Sequence, residues 1–219
     1  MRHPFFAIPR PIAIGHRGSA GDAPENTLES FDRARAAGAR VSDEPSAHLL
    51  AELPRLRAAA ARGPVVELAC GRGRNALAVA AAGIPVVGID RDPEALAGLR
   101  AAARDRGLPV SALRADLETP HGIPLRTGSC GAILVFRFLF RPLAAAIEAA
   151  LAPGGLLLYE TFTVHQRSLG PGPRSPAFLL DPGELRKLFS GLEVLAYSES
   201  TVAEPWPQAL ARLTARRPG

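Results

Sequence analysis

Nine residues that overlap the end of a short apolar run have the types and spacing of a nucleotide-binding turn. The segment ELACGRGRN places Glu67 inside the apolar run, Gly71 and Gly73 in the turn, and Asn75 where a helical pattern begins. Glycine lets the backbone turn tightly against a ligand, and the first N–H groups of a helix lack partners within it. The sequence therefore predicts that this turn and the start of the helix bind a ligand.

An acidic residue ends the next apolar run. Asp90 closes the segment PVVGID, at a position where a carboxylate can accept hydrogen bonds from both hydroxyls of a ribose. A strand, a glycine turn, a helix, a second strand and an acid in that order indicate a nucleotide site far better than two glycines alone. The alternative is an ordinary strand–helix–strand connection with a solvated Asp90, which is common in α/β proteins.

Two further features bear on which nucleotide binds. The segment GRGRNA, residues 71–76, also satisfies the glycine fingerprint of dinucleotide sites. An NAD-dependent oxidoreductase is therefore an alternative function. Glu67, however, can reach the amino group of an amino-acid moiety, and a dinucleotide site has no use for that carboxylate. The run APGGLLLYETF, residues 152–162, then places a proline and two glycines directly before another apolar strand.

With these motifs, the chain resembles the class I methyltransferases that use S-adenosylmethionine, over residues 42–217. Within that superfamily it is similar to small bacterial enzymes of the tellurite-resistance type and their relatives, a group that does not fix a substrate. The resemblance implies a methyltransferase whose cofactor is S-adenosylmethionine. It is carried by the segments HLLAEL (48–53), ELACGRGRNALAVAAAG (67–83), GIDRDPEAL (88–96), RPLAAAIEAALAPGGLLLYETF (141–162) and FLLDPGELRKLF (178–189).

The resemblance also implies which residues hold the cofactor. Arg91 would lie beside the adenine, and Asp116, in the segment RADLE, would accept a hydrogen bond from the adenine amino group. For Asp116 a helix or turn cap is the alternative, since Asp favours such positions. The complete implied set of cofactor-binding residues is Glu67, Gly71, Gly73, Asn75, Asp90, Arg91 and Asp116.

Candidate residues for the methyl acceptor follow the fourth and fifth predicted strands, because ligands of open α/β sheets bind beyond the carboxyl ends of the strands. Glu160 and His165 are the catalytic candidates, and Arg137, Phe140 and Tyr159 are the candidates for binding the substrate. The ordinary pKa of a histidine suits a general base. The alternatives are core packing for the aromatic side chains and plain solvent exposure for His165.

The segment after the fourth predicted strand departs from the resembling group. Residues 137–140 read Arg, Phe, Leu, Phe, where the group has Asn, an aromatic residue, Leu and His. Methyl transfer from a sulfonium mainly needs an acceptor held in line and the exclusion of water. The sequence therefore predicts in-line methyl transfer to an unidentified small molecule. A cofactor-binding pseudoenzyme or an interaction protein is the alternative.

The N-terminal segment resembles a different family. IAIGHRGSAGDAPENTLESFDRARAAGA, residues 12–39, is similar to the opening of a glycerophosphodiester phosphodiesterase, in which His16 and Glu25 would serve metal binding and phosphodiester chemistry. That barrel needs about 250 residues, and this segment supplies one strand and one helix of it. We therefore predict a truncated, non-catalytic fragment over residues 1–41, followed by the methyltransferase domain over residues 42–219.

Composition and charge narrow the range of partners. The chain has 26 Lys and Arg residues and 21 Asp and Glu residues, but its arginines are scattered and Lys187 is the only lysine, which argues against a nucleic-acid partner. Cys70 and Cys130 have no metal-binding spacing and fit reduced thiols of the cytosol. No apolar run approaches the roughly 20 residues of a membrane span. We expect a cytoplasmic protein without a metal ion, and its oligomeric state stays open.

Apolar runs and helical patterns alternate along the rest of the chain. Continuous apolar runs are typical of parallel strands covered on both faces. We expect an α/β fold with a Rossmann-like, doubly wound, mostly parallel seven-stranded sheet, preceded by a short N-terminal appendage. Pro54 should kink or restart the first helix, and residues 166–182, rich in proline and glycine, should form a loop that covers the site. The predicted strands are 64–69, 84–89, 109–114, 130–136, 154–161, 192–198 and 208–215, and the predicted helices are 46–62, 75–82, 93–106 and 142–151.

Overall fold

A computed structural model describes residues 44–119, 122–169, 172–203 and 207–219 of the chain. The predicted phosphodiesterase-like fragment, residues 1–41, lies outside these ranges. The described residues form an α/β structure built around one sheet.

Seven strands form this sheet: Val65–Leu68 (β1), Val86–Asp90 (β2), Val110–Arg114 (β3), Cys130–Phe136 (β4), Leu151–Phe162 (β5), Glu193–Val202 (β6) and Gln208–Arg216 (β7). Their order across the sheet is β3-β2-β1-β4-β5-β7-β6. Strands β1 to β5 are parallel, and β7 is antiparallel to both β5 and β6. The predicted Rossmann-like, doubly wound and mostly parallel sheet is confirmed. The strand order reverses between β1 and β4, the point where such sheets bind ligands.

The α-helices of the described residues are Ala47–Ala60 (α1), Arg74–Ala81 (α2), Pro93–Asp105 (α3), Ala144–Ala150 (α4) and Glu184–Leu188 (α5). Helix α1 continues through Pro54 as one helix, so the predicted restart does not occur. Its buried Leu49 and Leu56 hold both halves against the sheet and offset the missing N–H of the proline. None of the helices in the described part of the chain has both the length and the apolar character that crossing a membrane requires.

The helices cover both faces of the sheet. All seven residues of β4 are buried, and alternate residues of the strand face opposite clusters. Ala132 and Leu134 pack with α1, α2 and α3, whereas Ile133 and Val135 pack with α4 and α5. This sandwich buries the middle strands completely, which accounts for their continuous apolar sequence.

Two segments differ from the prediction. Strand β5 begins at Leu151, and the helix predicted over residues 142–151 divides into a 3₁₀ turn, Arg141–Leu143, followed by α4. The predicted loop over residues 166–182 is not irregular throughout, since it holds the 3₁₀ turn Pro176–Phe178.

The start of that loop is anchored to the sheet. Gln166 is buried within the 3₁₀ turn Val164–Ser168, and its Oε1 accepts a hydrogen bond of 2.7 Å from the Ala209 N–H of β7. A single bridge between Thr163 and Leu180 holds the other end of the segment near β5. These contacts join residues distant in sequence, which explains why local composition predicted less structure than is present.

The glycine turn between β1 and α2 depends on close packing. Gly73 precedes α2 with a φ of +77°, a conformation that side-chain-bearing residues rarely adopt. A Cβ atom placed on Gly73 would overlap with the Leu99 side chain of α3. The turn therefore lies directly against the helix that follows β2, and this contact fixes its position relative to Asp90.

Replacing Gly73 tests this packing. Gly73→Ala should lower the free energy of unfolding by about 2 to 5 kcal/mol, because the left-handed backbone and the overlap with Leu99 both oppose the new methyl group. Gly107→Ala is the matched control, since Gly107 has a φ of +62° and open space around its Cα. The control should lose only about 1 to 2 kcal/mol in urea unfolding. Equal losses for the two variants would contradict the packing argument.

Candidate functional site

The glycine turn after β1 meets the end of β2 at Asp90. The Oδ2 atom of Asp90 accepts a hydrogen bond of 2.7 Å from the Gly71 N–H, and its Oδ1 atom accepts one of 2.9 Å from the Asp92 N–H. Gly71 has a φ of +55°, and no atom lies where its side chain would stand. The structure thus brings two predicted cofactor residues together at the carboxyl ends of adjacent strands.

Glu67 is a buried residue of β1 whose side chain contacts the start of α2. Its Oε2 atom accepts a hydrogen bond of 2.9 Å from the Ala76 N–H, and its Oε1 atom accepts one of 3.1 Å from the Asn75 Nδ2. Burial raises the pKa of Glu67 to about 7, although the hydrogen bonds from Asn75 and Ala76 oppose the rise. Glu67 therefore satisfies donors at the helix start, and its predicted contact with an amino group stays a prediction.

Arg91 and Asp116 follow neighbouring strands, β2 and β3. Arg91 forms an ion pair of 2.8 Å with Glu118, and Asp116 Oδ1 accepts a hydrogen bond of 2.9 Å from the Glu118 N–H. This is the turn-capping role that was the alternative for Asp116. The predicted adenine contacts of both residues stay predictions.

Glu160, near the end of β5, is the centre of a buried polar cluster. It is 1% exposed, and its Oε2 atom accepts a hydrogen bond of 2.7 Å from the Arg212 Nε. Its Oε1 atom accepts one of 2.9 Å from the Ser46 hydroxyl and lies 3.3 Å from the Arg137 Nη1. Burial acts to raise the pKa of Glu160, but Arg137, Arg212 and Ser46 together hold it below its usual value. The carboxylate is therefore ionised and held by protein groups.

Ser46 connects this cluster to the cofactor turn. Its backbone N–H donates a hydrogen bond of 2.9 Å to Asn75 Oδ1, while its hydroxyl binds Glu160. The path from Glu67 through Asn75 and Ser46 to Glu160 is buried along its whole length. Sequence reasoning missed Ser46, which looks like an ordinary helix cap. It also missed Arg212, whose only signal is a charge in the middle of the largely apolar strand β7.

Arg137 follows β4 at the same edge of the sheet. Its backbone is left-handed, with a φ of +58°, and its N–H donates a hydrogen bond of 2.8 Å to the Glu160 carbonyl. Its guanidinium lies over the Phe162 ring, 4.9 Å from the centroid. Burial lowers the pKa of Arg137 to about 10, opposed by Glu160 and reinforced by Arg74 and Arg212. The structure therefore brings the predicted residues Arg137 and Glu160 into direct contact.

The other predicted substrate-side residues divide into packed and exposed groups. Tyr159 is 3% exposed, and its hydroxyl donates a hydrogen bond of 2.9 Å to the Phe138 carbonyl, so it holds the segment after β4. Phe140 is partly buried against the core cluster that contains Tyr159. His165 is exposed, and within the described residues it makes no hydrogen bond to the Glu160 cluster. The structure does not bring His165 together with the other candidates.

An open groove of about 600 Å³ lies beside α5. The charge of Arg141 in this groove is balanced by Glu184, whose Oε2 lies 2.9 Å from its Nη2. Within the described ranges, no group of three or more His, Cys, Asp or Glu side chains is arranged to hold a metal ion. The residues that line the groove are Arg141, Val164, Arg167, Pro176, Ala177, Leu179, Asp181 and Glu184.

The fold and the Asp90 turn define an α/β protein of the class I methyltransferase architecture. Residues 65–155 match the family described as a methyltransferase domain. The predicted methyltransferase domain is therefore confirmed over residues 65–155, and S-adenosylmethionine, the cofactor predicted with it, is the cofactor that such a domain implies. Residues 16–41 match the glycerophosphoryl diester phosphodiesterase family. A search of curated protein sequences finds no significant match.

Solved structures share this fold. TehB from Haemophilus influenzae has 19% sequence identity and a TM-score of 0.62, with 84% of this chain and 66% of that chain covered. An S-adenosylmethionine-dependent methyltransferase from Clostridium acetobutylicum has 12% sequence identity and a TM-score of 0.62. The match covers 87% of this chain and 98% of that chain. An S-adenosylmethionine-dependent methyltransferase from Mesorhizobium loti has 21% sequence identity and a TM-score of 0.58. The match covers 76% of this chain and 98% of that chain. These low identities show a common fold only.

The titration of Glu67 predicts an unusual pH dependence of stability. Because the pKa of Glu67 is raised in the folded state, the folded protein binds this proton more tightly than the unfolded chain. The resulting stabilisation is complete below about pH 4.5 and is lost as the pH rises through about 7. Glu67→Gln has no such proton, so wild type should lose about 2 to 3 kcal/mol relative to the variant between pH 5 and pH 8.

Urea unfolding at four pH values between 5 and 8 measures this difference. A constant offset between the proteins is expected, because the amide changes the hydrogen bonds to Asn75 and Ala76, and only the slope with pH is diagnostic. Glu193→Gln, at a half-exposed glutamate, is the control and should follow wild type. Parallel curves for wild type and Glu67→Gln would contradict the raised pKa.

Proposed function

We propose that the chain transfers a methyl group from S-adenosylmethionine, in line, to a small-molecule acceptor at the carboxyl ends of β1, β4 and β5. The observation that carries this proposal is the buried path from Asn75 through Ser46 to Glu160. It joins the glycine turn to the ion pair between two predicted substrate-side residues, Arg137 and Glu160. A shared network of this kind fixes the distance between two binding sites, as an in-line transfer requires.

The residues present fit the cofactor. Open space beside Gly71 leaves room for a ligand against the backbone, and the Asp90 carboxylate beside it has acceptor capacity beyond its two backbone hydrogen bonds. We propose that Asp90 binds the ribose, that Gly71 and Gly73 contact the cofactor through their backbone, and that Arg91 and Asp116 border the adenine. Glu67 and Asn75 would hold the start of α2 and border the methionine moiety.

S-adenosylmethionine supplies a methyl group on a good leaving group, so the protein mainly has to place the acceptor and exclude water. The Glu160 carboxylate already has partners in Ser46, Arg137 and Arg212, and we assign it the role of orienting Arg137. His165 is the remaining candidate for a general base, from the exposed turn after β5. Phe140 and the segment held by Tyr159 would border the acceptor.

A second candidate function is cofactor binding without methyl transfer. It is favoured by residues 137–140, which lack the polar pair of the resembling group, and by the engagement of Glu160 with protein partners. An NAD-dependent oxidoreductase is a weaker alternative, because the matched family uses S-adenosylmethionine. Methyl transfer itself distinguishes the enzyme from the binding protein.

We also propose that residues 42–219 form the methyltransferase domain and that residues 1–41 are a non-catalytic remnant. The phosphodiesterase match covers only residues 16–41, far short of a closed barrel. A cytoplasmic location is part of the same proposal, supported by two free cysteines, Cys70 and Cys130.

The role of Asp90 provides the first test. Asp90→Ala should weaken binding of S-adenosylmethionine by about 1.5 to 3 kcal/mol, the scale of a lost hydrogen bond to a charged group. Calorimetric titration of the cofactor, with Asp105→Ala at an exposed position as the control, measures the change.

Wild type should bind S-adenosylmethionine and not NAD, and should methylate at least one member of a panel of thiols, selenite and tellurite. Unchanged affinity in Asp90→Ala would contradict the ribose assignment, and cofactor binding without transfer would favour the binding protein.

Removing the N-terminal segment tests the domain assignment. Deletion of residues 1–40 should leave cofactor affinity and methyl transfer nearly unchanged, because helix α1 and its cap at Ser46 are retained. A modest fall in melting temperature is compatible with the proposal. Metal-dependent cleavage of glycerophosphocholine that disappears in His16→Ala would overturn it. So would a deletion that abolishes transfer in a folded domain.

A further inference from the structure

Arg137 has a buried donor that the protein does not satisfy. Its Nη1 atom is buried and makes no hydrogen bond, although it lies 3.3 Å from the Glu160 Oε1. That contact has the distance of an ion pair but not the geometry of a hydrogen bond. A buried N–H of a charged group without an acceptor is unfavourable and rare in folded proteins. An acceptor supplied by a ligand would remove this penalty.

Positive charges outnumber negative charges in the cluster around Glu160. Two guanidinium groups, Arg137 and Arg212, contact this single ionised carboxylate. Arg212 is well satisfied, since it donates to Glu160 Oε2 at 2.7 Å and to the Ser200 hydroxyl at 3.0 Å. Burial lowers the pKa of His48, which favours its neutral form, so this neighbouring side chain neither adds positive charge nor offsets the two guanidinium groups. One positive charge, on Arg137, is therefore left without a full counter-charge.

Arg137 is held in place from several sides. Its backbone occupies the left-handed region, and Ala69 after β1 is the other non-glycine residue with positive φ in the described ranges. Both lie at the carboxyl ends of neighbouring strands, where the strand order reverses and ligands of such sheets bind. Strained backbone of this kind persists where the surroundings enforce it and is concentrated at functional sites. The guanidinium also lies over the Phe162 ring, 4.9 Å from its centroid, which adds a cation–π contact.

Arg141 provides a contrast four residues later. Its guanidinium donates to both oxygens of Glu184 and to the Leu179 carbonyl, so it has a counter-charge and several acceptors. The unsatisfied donor of Arg137 is therefore not a general property of arginines in this part of the chain. Among the arginines of the described ranges, Arg137 alone has a buried side-chain nitrogen without a hydrogen bond.

We propose that Arg137 binds a carboxylate or similarly compact anionic group of the methyl acceptor, so the substrates of this site are anionic small molecules. This inference rests on the proposed function. A planar guanidinium with an unsatisfied N–H donor forms directed hydrogen bonds to such a group and distinguishes it from a neutral amide of the same shape. Arg137 thereby determines substrate specificity, and Glu160 positions it.

Binding of simple anions to the full chain tests the proposal without knowledge of the acceptor. The protein is saturated with S-adenosylhomocysteine and titrated at constant ionic strength with acetate and benzoate, and with their neutral counterparts acetamide and benzamide. At least one anion should bind wild type at least tenfold more tightly than its amide. Arg137→Gln should lose this preference, Arg137→Lys should retain part of it, and the surface control Arg216→Gln should match wild type.

The cofactor also contains a carboxylate, and a second titration distinguishes the two sources. Affinity for S-adenosylhomocysteine should change less than threefold in Arg137→Gln. If it falls tenfold while affinity for 5′-methylthioadenosine, which lacks the amino-acid moiety, is unchanged, Arg137 serves the cofactor and the proposal is overturned. Equal binding of anions and amides to wild type would also overturn it. A protein that binds the anions but methylates nothing would contradict the proposed function and leave the anion site standing.

Discussion

The buried negative charge of Glu160 must be compensated, and this requirement determines the structure of the candidate site. Glu160 lies at the carboxyl end of a strand that the rest of the sheet encloses, and an isolated carboxylate there would be strongly destabilising. Arg212 from β7, Arg137 from the end of β4 and Ser46 from the start of α1 all converge on it. Three elements distant in sequence are thereby fixed relative to β5. Removing the carboxylate would leave two guanidinium groups facing each other.

The same compensation extends to the cofactor turn. Ser46 binds Asn75 through its backbone and Glu160 through its hydroxyl, so the start of α2 and the end of β5 share one residue. Glu67 completes the chain by accepting hydrogen bonds from Asn75 and Ala76. Because each link is short and buried, displacement of either site would break a hydrogen bond in the interior. A link of this kind suits the proposed methyl transfer, which depends on alignment of the two reactants.

The fold and the cofactor turn could be predicted from the sequence because their signals are local. Apolar runs identify the strands, and the glycines with Asp90 identify the turn through backbone requirements that act over a few residues. The cluster around Glu160 could not be predicted in this way. Ser46 and Arg212 join the cluster only through contacts with Glu160 across 114 and 52 residues of sequence, respectively. Likewise, the order in the segment that contains Gln166 comes from a hydrogen bond to Ala209.

The position of Ser46 also constrains how this gene can change. The phosphodiesterase match ends at residue 41, and the first buried link of the methyltransferase network is Ser46. Recombination upstream of that point can exchange, shorten or extend the leading sequence without removing a network residue. A junction only a few codons further downstream would delete the serine and separate the two sites. The sequence before Ser46 can therefore vary without loss of a network residue, whereas the sequence from Ser46 onward cannot.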